Sequence, residues 1–378
     1  MTKEELTDIR KFPNKAKYII IRKSIEDESS LEDIYDRFIK DAEILKEETK
    51  GVINMYKTGS DTKTASHFFE HFSRSYHADD IQQNEAEYIN NASAGALIFA
   101  ESYEGPLYEY DVCSMYPSIM TDSHMLFPLK QGTWMKYTQE EFDNREFYVY
   151  GIYRCKVHPL GKRKKDRLFR FNPDNHYTHF DLNMAKQLGF EVEMIVDSQP
   201  NLLHYPRDCL RNGHKLFYKY IIMLFKMKEN KSSNESLKTR AKSILNTLWG
   251  YLTSANIIEK IVKDSETEMT EIYDNRNIHR ICPLKDGSLR IQITKNYKIF
   301  ETNYARIKPF LLARGRKMIA DLILDLCPNG KDVVRTHTDS ILSKTPLKLK
   351  DSKYKLGSLV FKQSSEHAIV HNSVFVDW

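Results

Sequence analysis

The chain has 378 residues, 41% of them hydrophobic and 29% charged. It is too apolar for a disordered polymer and long enough for about two to three domains. Mean hydropathy is −0.56 and no apolar run approaches the roughly 18 residues of a spanning helix, which speaks against a helical membrane protein, and no membrane partner is expected. A formal net charge of +5 permits a nucleic-acid partner without demanding one.

Five cysteines, Cys113, Cys155, Cys209, Cys282 and Cys327, are far apart, with no Cys-x-x-Cys pair. A zinc ribbon, a cysteine-held cluster and a disulfide framework are unsupported, and a reducing compartment is expected. The opening Met-Thr-Lys-Glu-Glu-Leu is too acidic and polar for a signal or transit peptide.

In chain order, residues 1–62 are charged, with a strand-like run at 18–21 and a predicted helix over 30–48. His67-Phe-Phe-Glu70-His71 matches a zinc-peptidase string, but it reads better as an amphipathic helix packing its aromatics. Residues 85–91 look helical and lead into a loop, Ala92-Ser-Ala-Gly95-Ala96. Next, residues 107–112 alternate: Leu107, Glu109 and Asp111 take one face, Tyr108, Tyr110 and Val112 the other. That period of two argues a strand. Pro117 in Ser114-Met-Tyr-Pro cannot serve a ladder but suits the first turn of a helix. Asp111 therefore sits where a strand ends. There a carboxylate can bind a metal and the turn's N–H groups can receive phosphate oxygens, although most aspartates ending a strand simply form the turn.

Residues 148–157 alternate as a strand, followed by a basic, flexible loop carrying Lys162, Arg163, Lys164 and Lys165. His176 and His179 read as turn and core residues. Over 209–228 the pairs Leu216/Phe217, Tyr220/Ile221 and Leu224/Phe225 form the stripe of a helix with one buried side, and a polar turn, 230–236, follows. A second helix sets Lys238, Lys242, Asn246 and Trp249 on one face and Leu245, Leu248 and Leu252 on another. Lysines one turn apart repel unless an anion such as a triphosphate lies across them. Residues 254–300 read as strands with a turn at Asp286-Gly287, and 304–326 as a long helix carrying Arg314, Arg316 and Lys317.

Three stretches in this order, Asp111-Val-Cys-Ser-Met-Tyr-Pro117, Lys242-Ser-Ile-Leu-Asn246-Thr-Leu-Trp249-Gly250 and Thr336-His-Thr338-Asp339-Ser340, resemble the three polymerase motifs of family B DNA polymerases. The likeness is closest to the protein-primed polymerases of phages, linear plasmids, organellar elements and some viruses, and runs from about Phe38 to the C-terminus. It implies an α+β fold of right-hand architecture with an antiparallel-sheet palm, helical-hairpin fingers and a truncated thumb. The expected parts are 1–62, the remnant of an exonuclease-domain end and linker; 63–144, palm with the first motif; 145–206, an insertion; 207–253, fingers; 254–357, palm with the third motif; and 358–378, the start of the thumb.

The resemblance also implies roles. Asp111, the carbonyl of Val112 and Asp339 would hold two Mg2+ ions, with Mn2+ a substitute, and the amides of Ser114 and Met115 would receive the triphosphate. Tyr116 would lie under the deoxyribose and exclude a 2′-hydroxyl. Lys226, Lys238 and Lys242 would neutralise the phosphates, and Asn246 would border the nascent base pair. Gly95, Ala96, Trp249 and Thr338, with the basic run 162–165, would meet DNA. The implied function is template-directed DNA polymerisation on a primer-template with deoxynucleoside triphosphates, a terminal priming protein being a further partner. No proofreading is expected, since only Asp41 stands for the exonuclease carboxylates and reads as a remnant on a helix surface. The alternative is a decayed fragment from a mobile or viral element that binds nucleic acid without catalysis. Departures from the family pattern are His337 for the first Asp of the third motif, Trp249 for Tyr, Thr247 for Ser and Ser93 for the Tyr of the loop before Gly95. After Lys355-Leu-Gly357, the position of the family's primer-holding Lys-x-Tyr falls near Ser373-Val-Phe375.

Overall fold

The computed structural model describes residues 29–73, 76–230, 235–262, 278–284, 286–294, 298–327, 331–349 and 355–378. The strand expected at 18–21 lies outside them. Helix α1 (Leu31–Glu48) starts with a capping box, Ser30 and Asp33 satisfying each other's backbone N–H. Its buried stripe is Ile34, Phe38, Asp41, Ala42 and Leu45, and α2 (Met55–Thr58), which packs on it, α3 (Asp61–Ser73) and α4 (Gln83–Asn91) follow. Along α3, Phe68 and Phe69 are buried while His67, Glu70 and His71 stay exposed, the amphipathic pattern expected of that stretch.

Strands β1 (Ile98–Ala100) and β2 (Tyr103–Val112) lead to α5 (Met115–Thr121). The segment 126–212 follows with β3 (Leu126–Pro128), β4 (Thr133–Met135), α6 (Gln139–Asp143), β5 (Gly151–His158), α7 (Arg163–Asp166), β6 (His176–Thr178), α8 (His179–Leu188), β7 (Glu191–Met194), β8 (Leu202–His204) and β9 (Leu210–Asn212). Its sheet runs β4-β8-β5-β6, with β7 also on β5. The stretch expected to be a flexible basic loop closes instead into the single turn α7.

Helices α9 (Gly213–Glu229) and α10 (Glu235–Leu252) form the expected hairpin; Leu216, Phe217, Tyr220, Ile221 and Leu224 are buried against Leu245, Leu248 and Leu252. Strands β10 (Ile257–Val262), β11 (Ile278–Pro283) and β12 (Leu289–Thr294) make a small sheet apart from the main one, and α11 (Ile307–Leu326) packs chiefly on α8 and α5.

The main sheet is completed by β13 (Val333–His337), β14 (Ser340–Ser343), β15 (Leu359–Val370) and β16 (Val376–Asp377), in the antiparallel order β1-β13-β14-β2-β15-β16. Residues 358–378, read from the sequence as the start of a thumb, thus add two strands to the sheet that carries Asp111, with β15 paired along β2. Antiparallel pairing leaves one sheet face free for other uses. Tyr110, Val112, Val333, Ile341 and Leu359 join the large core. The opposite face holds a small cluster, Leu107, Val334, Leu342, Ala368 and Val370, with Glu109 and Asp111 beside it.

Two buried arginines locate α11. Arg306, just before it, forms a fully buried pair with Glu85 (Nη2 to Oε2, 2.7 Å), and Tyr205 donates to the same carboxylate at 2.9 Å. Arg316 pairs with Asp181 at 2.8 Å and donates to the carbonyls of Ala94 and Gly95. The five cysteines are free, all but Cys282 buried.

Asp41 is not a surface remnant. It is 1% exposed and accepts from Ser236 Oγ at 2.8 Å and Arg240 Nε at 3.4 Å, and Arg240 also reaches Asp61 at 3.2 Å. The partner that buries it lies on α10, far along the chain, and so does not show in the local helical pattern.

Candidate active site

Sheet register assembles the site. Asp111, last but one in β2, lies opposite Ser340 of β14 and Val360 of β15, while His337 lies opposite Ser340 from the other side. Directly opposed residues share a face, so His337, Ser340 and Asp111 form a row across three strands. Asp339 sits at the tip of the β13–β14 hairpin, and its carbonyl accepts from Val112 N–H at 2.9 Å. The first and third motifs are thereby tied by backbone. Both flanks are in the left-handed region, Thr338 at φ +63° and Ser114 at φ +48°, which is unusual for residues with a Cβ.

Two carboxylates thus converge at one end of the sheet. Burial pushes the Asp111 carboxyl above the usual range, opposed by Lys362 and, more weakly, by Lys242. Burial also raises Asp339, and the negative charge of Asp111 raises it further. Lys362 Nζ lies 3.5 Å from Asp111 Oδ2. Glu109, next on the same face, accepts from Ser340 Oγ at 3.3 Å and Gln363 Nε2 at 2.9 Å. Among the described residues no three His, Cys, Asp or Glu side chains group as a metal site; Asp111 and Asp339 form a pair.

Around the pair stand the groups of the first two motifs. Ser114 caps α5 without a side-chain cap bond; instead its Oγ accepts from Lys228 Nζ at 3.3 Å. Lys226, expected from the resemblance to face the phosphates along with Lys238 and Lys242, is exposed. Two helical residues differ by about 200° in direction, so α9 can present Lys228 or Lys226 to Ser114, but not both. Lys238 pairs with Glu235 at 3.4 Å, Asn246 is exposed and Trp249 half-buried. The Trp249 ring leans on that of Tyr116, centroids 4.9 Å apart, and burial pushes the Tyr116 hydroxyl up to about 12.

Behind Tyr116, helix α11 has a glycine where a side chain would intrude. A Cβ at Gly315 would lie 3.0 Å from Tyr116 Cε1 and 3.3 Å from the end of Met115. Gly315→Ala should therefore displace the Tyr116 ring rather than unfold the helix, shifting the fluorescence of Trp249, whose ring leans on it, with little change in melting temperature. An unchanged Trp249 signal would mean that the ring gives way without moving its neighbour.

His337 is held away from free rotation. Its Nδ1–H donates to the Ser373 carbonyl at 2.6 Å, as does Arg335 Nε at 2.8 Å. The backbone carbonyl of Ser373, at the position counted from the sequence for a primer-holding cation, is thus tied to the third motif. The Gly95-Ala96 loop stays open, with nothing within 4 Å of a Cβ at Gly95, and Arg316 fixes it from below. No sequence signal singled out Arg316 for that task. Lys162, Lys164 and Lys165 are exposed near Arg167, which donates to Val333 O at 3.0 Å. That is the end of β13 remote from Asp339, so the structure does not bring the basic run to the carboxylates.

Residues 29–317 match the family model for DNA polymerase type B, organellar and viral. A "Probable DNA polymerase" of Podospora anserina is 25% identical over 270 residues, covering 62% of this chain and 21% of that protein. Among solved structures, Phi29 DNA polymerase with primer-template DNA superposes with a TM-score of 0.60 at 15% identity, over 98% of this chain and 64% of that one. Its ternary complex with incoming nucleotides gives the same TM-score at 16% identity, over 98% and 65%. This chain therefore spans about a fifth of the fungal relative and just under two thirds of the Phi29 enzyme, and the structural likeness speaks for the α+β fold. With more than half of its length inside the family model, the chain belongs to the organellar and viral type B DNA polymerases.

Proposed function

We propose that this chain extends a primer 3′-hydroxyl on a DNA template with deoxynucleoside triphosphates. The observation that carries the reading is the joining of Asp111 and Asp339 at one sheet end, with Ser114, Lys228 and Lys242 around them. The donor set fits divalent metal: two hard carboxylates, both pushed toward their neutral forms by burial, are a place where a cation lowers the free energy. Mg2+ suits oxygen donors of this kind, with Mn2+ a substitute better matched to the imidazole of His337. When bound, two such ions would stabilise the attacking and leaving oxygens. The chain's residues do the rest. Asp111, Asp339 and the Val112 carbonyl would hold the ions, and Lys228 and Lys242 would offset the charge of the triphosphate. Tyr116, kept protonated and braced by Trp249, forms the floor under the sugar, and Asn246 borders the new base pair. Gly95 and Ala96 take the template backbone. The exposed lysines of the insertion meet DNA or a priming protein.

Primer extension on a primed template, with Mg2+ and with Mn2+, tests the reading. Lys228→Ala and Lys242→Ala should each raise the nucleotide KM about 10- to 100-fold, the size of a lost hydrogen bond to a charged group. The effect of Lys226→Ala should be clearly smaller. A second reading, nucleic-acid binding without catalysis, is favoured by His337 in the third motif and by the lysine on Asp111. Template DNA bound with no extension under either metal would establish it over the first.

A further inference from the structure

Strand β15 breaks register with β2 between Phe361 and Gln363, leaving Lys362 as the extra residue of a bulge. A bulge re-aims the side chain it carries. Here it aims an ammonium group at the carboxylates: Lys362 Nζ stands 3.5 Å from Asp111 Oδ2. The same charge acts against the raised pKa of both Asp111 and Asp339, so it is felt by the two acids together. Other nearby groups are otherwise engaged. Glu109 is bonded to Ser340 and Gln363, and Arg335 to Ser373. The Lys362 side chain is 43% exposed, so it can swing into water without leaving a buried charge behind.

We propose that Lys362 is a tethered cation that occupies part of the space between Asp111 and Asp339 in the resting protein, so that a divalent ion enters only by displacing it. The inference rests on the reading of these two aspartates as metal carboxylates and goes beyond it. It makes Lys362 the residue that sets metal affinity, and with it the metal concentration at which the site switches on. An incoming cation meets a like charge at contact range and must break an ion pair. At a partly exposed site this lowers affinity by about tenfold.

The test is a Mn2+ titration read by the EPR signal of the free aqua ion, which is independent of turnover. Lys362→Gln should bind Mn2+ about tenfold tighter than the wild type, Lys362→Ala likewise, and Lys362→Arg close to the wild type. Adding Asp111→Asn to Lys362→Gln should abolish the gain. In chelator, Lys362→Gln should melt below the wild type, because the two acids lose their counter-charge, and Mn2+ should raise its melting temperature by the larger increment. Mn2+ binding that is unchanged or weaker in both Lys362→Gln and Lys362→Ala, with a wild type that binds, overturns the competition and leaves the metal-carboxylate reading standing. If neither the wild type nor these variants bind Mn2+, both fall.

Discussion

Asp339→Asn should cost primer extension about a thousandfold or more, the scale of a deleted electrostatic group at a reacting centre, and yet make the metal-free protein more stable. The two effects have one origin. Burial and the charge of Asp111 hold the Asp339 carboxyl above its ordinary pKa, so keeping it ionised costs free energy in the folded state. Because its folded pKa is raised, the folded protein holds that proton more tightly than the unfolded chain. The penalty is fully present above the raised folded value and declines as pH falls from it towards the unfolded one, opposite in sign to a salt-bridged aspartate. Asn is neutral throughout. In chelator at neutral pH the variant should melt higher by roughly 1–4 °C, with the difference closing as pH is lowered. Saturating divalent ion should reverse the order, since the wild type binds the cation more tightly and gains more stability from it. Calorimetry with and without chelator, beside an extension assay, reads both halves. A variant that loses stability in chelator would show that Asp339 is a structural turn residue.

The largest loss of stability should come from breaking the buried pair behind the site. Arg306 is 0% exposed, and its guanidinium is spent on Glu85 and on the carbonyls of Asp79 and Asp80. Arg306→Ala leaves the Glu85 carboxylate buried with Tyr205 as its remaining side-chain partner among the described residues, and removing one partner of such a pair typically costs about 3–5 kcal/mol. Glu85→Ala strands the guanidinium instead. Replacing both by apolar residues of similar volume, Arg306→Met with Glu85→Leu, should recover much of either loss, because neither charge is left uncompensated. Denaturant melts of the two single variants and the double variant check this. Equal losses in all three would assign the effect to packing rather than to an unpaired charge. The functional consequence follows from position. Arg306 seats the start of α11, and α11 carries Gly315 against Tyr116 and Arg316 beneath the Gly95 loop, so a loosened α11 should also raise the nucleotide KM.

What was legible in the chain was local. The alternation around Asp111 and the proline after it predict a strand ending in a helix start, and β2 and α5 are found there. The stripe of Leu216, Tyr220 and Leu224 and the face of Lys238, Lys242 and Asn246 follow from a 3.6-residue period, and α9 and α10 form with those sides in and out. Helical phase and strand alternation depend on residues within one or two turns of each other, and the sequence determines them by itself. The tertiary structure decided what depends on partners far along the chain. Lys228 rather than Lys226 meets Ser114 because packing of α9 against α5 sets which side of the helix faces the turn. Asp41 is buried because Arg240 arrives from α10. Residues 358–378 join the main sheet because the open edge of β2 accepts β15 along its length. Lys362 reaches Asp111 through a slip in register, and a bulge of this kind has no residue signature of its own: it exists only where two strands are already paired.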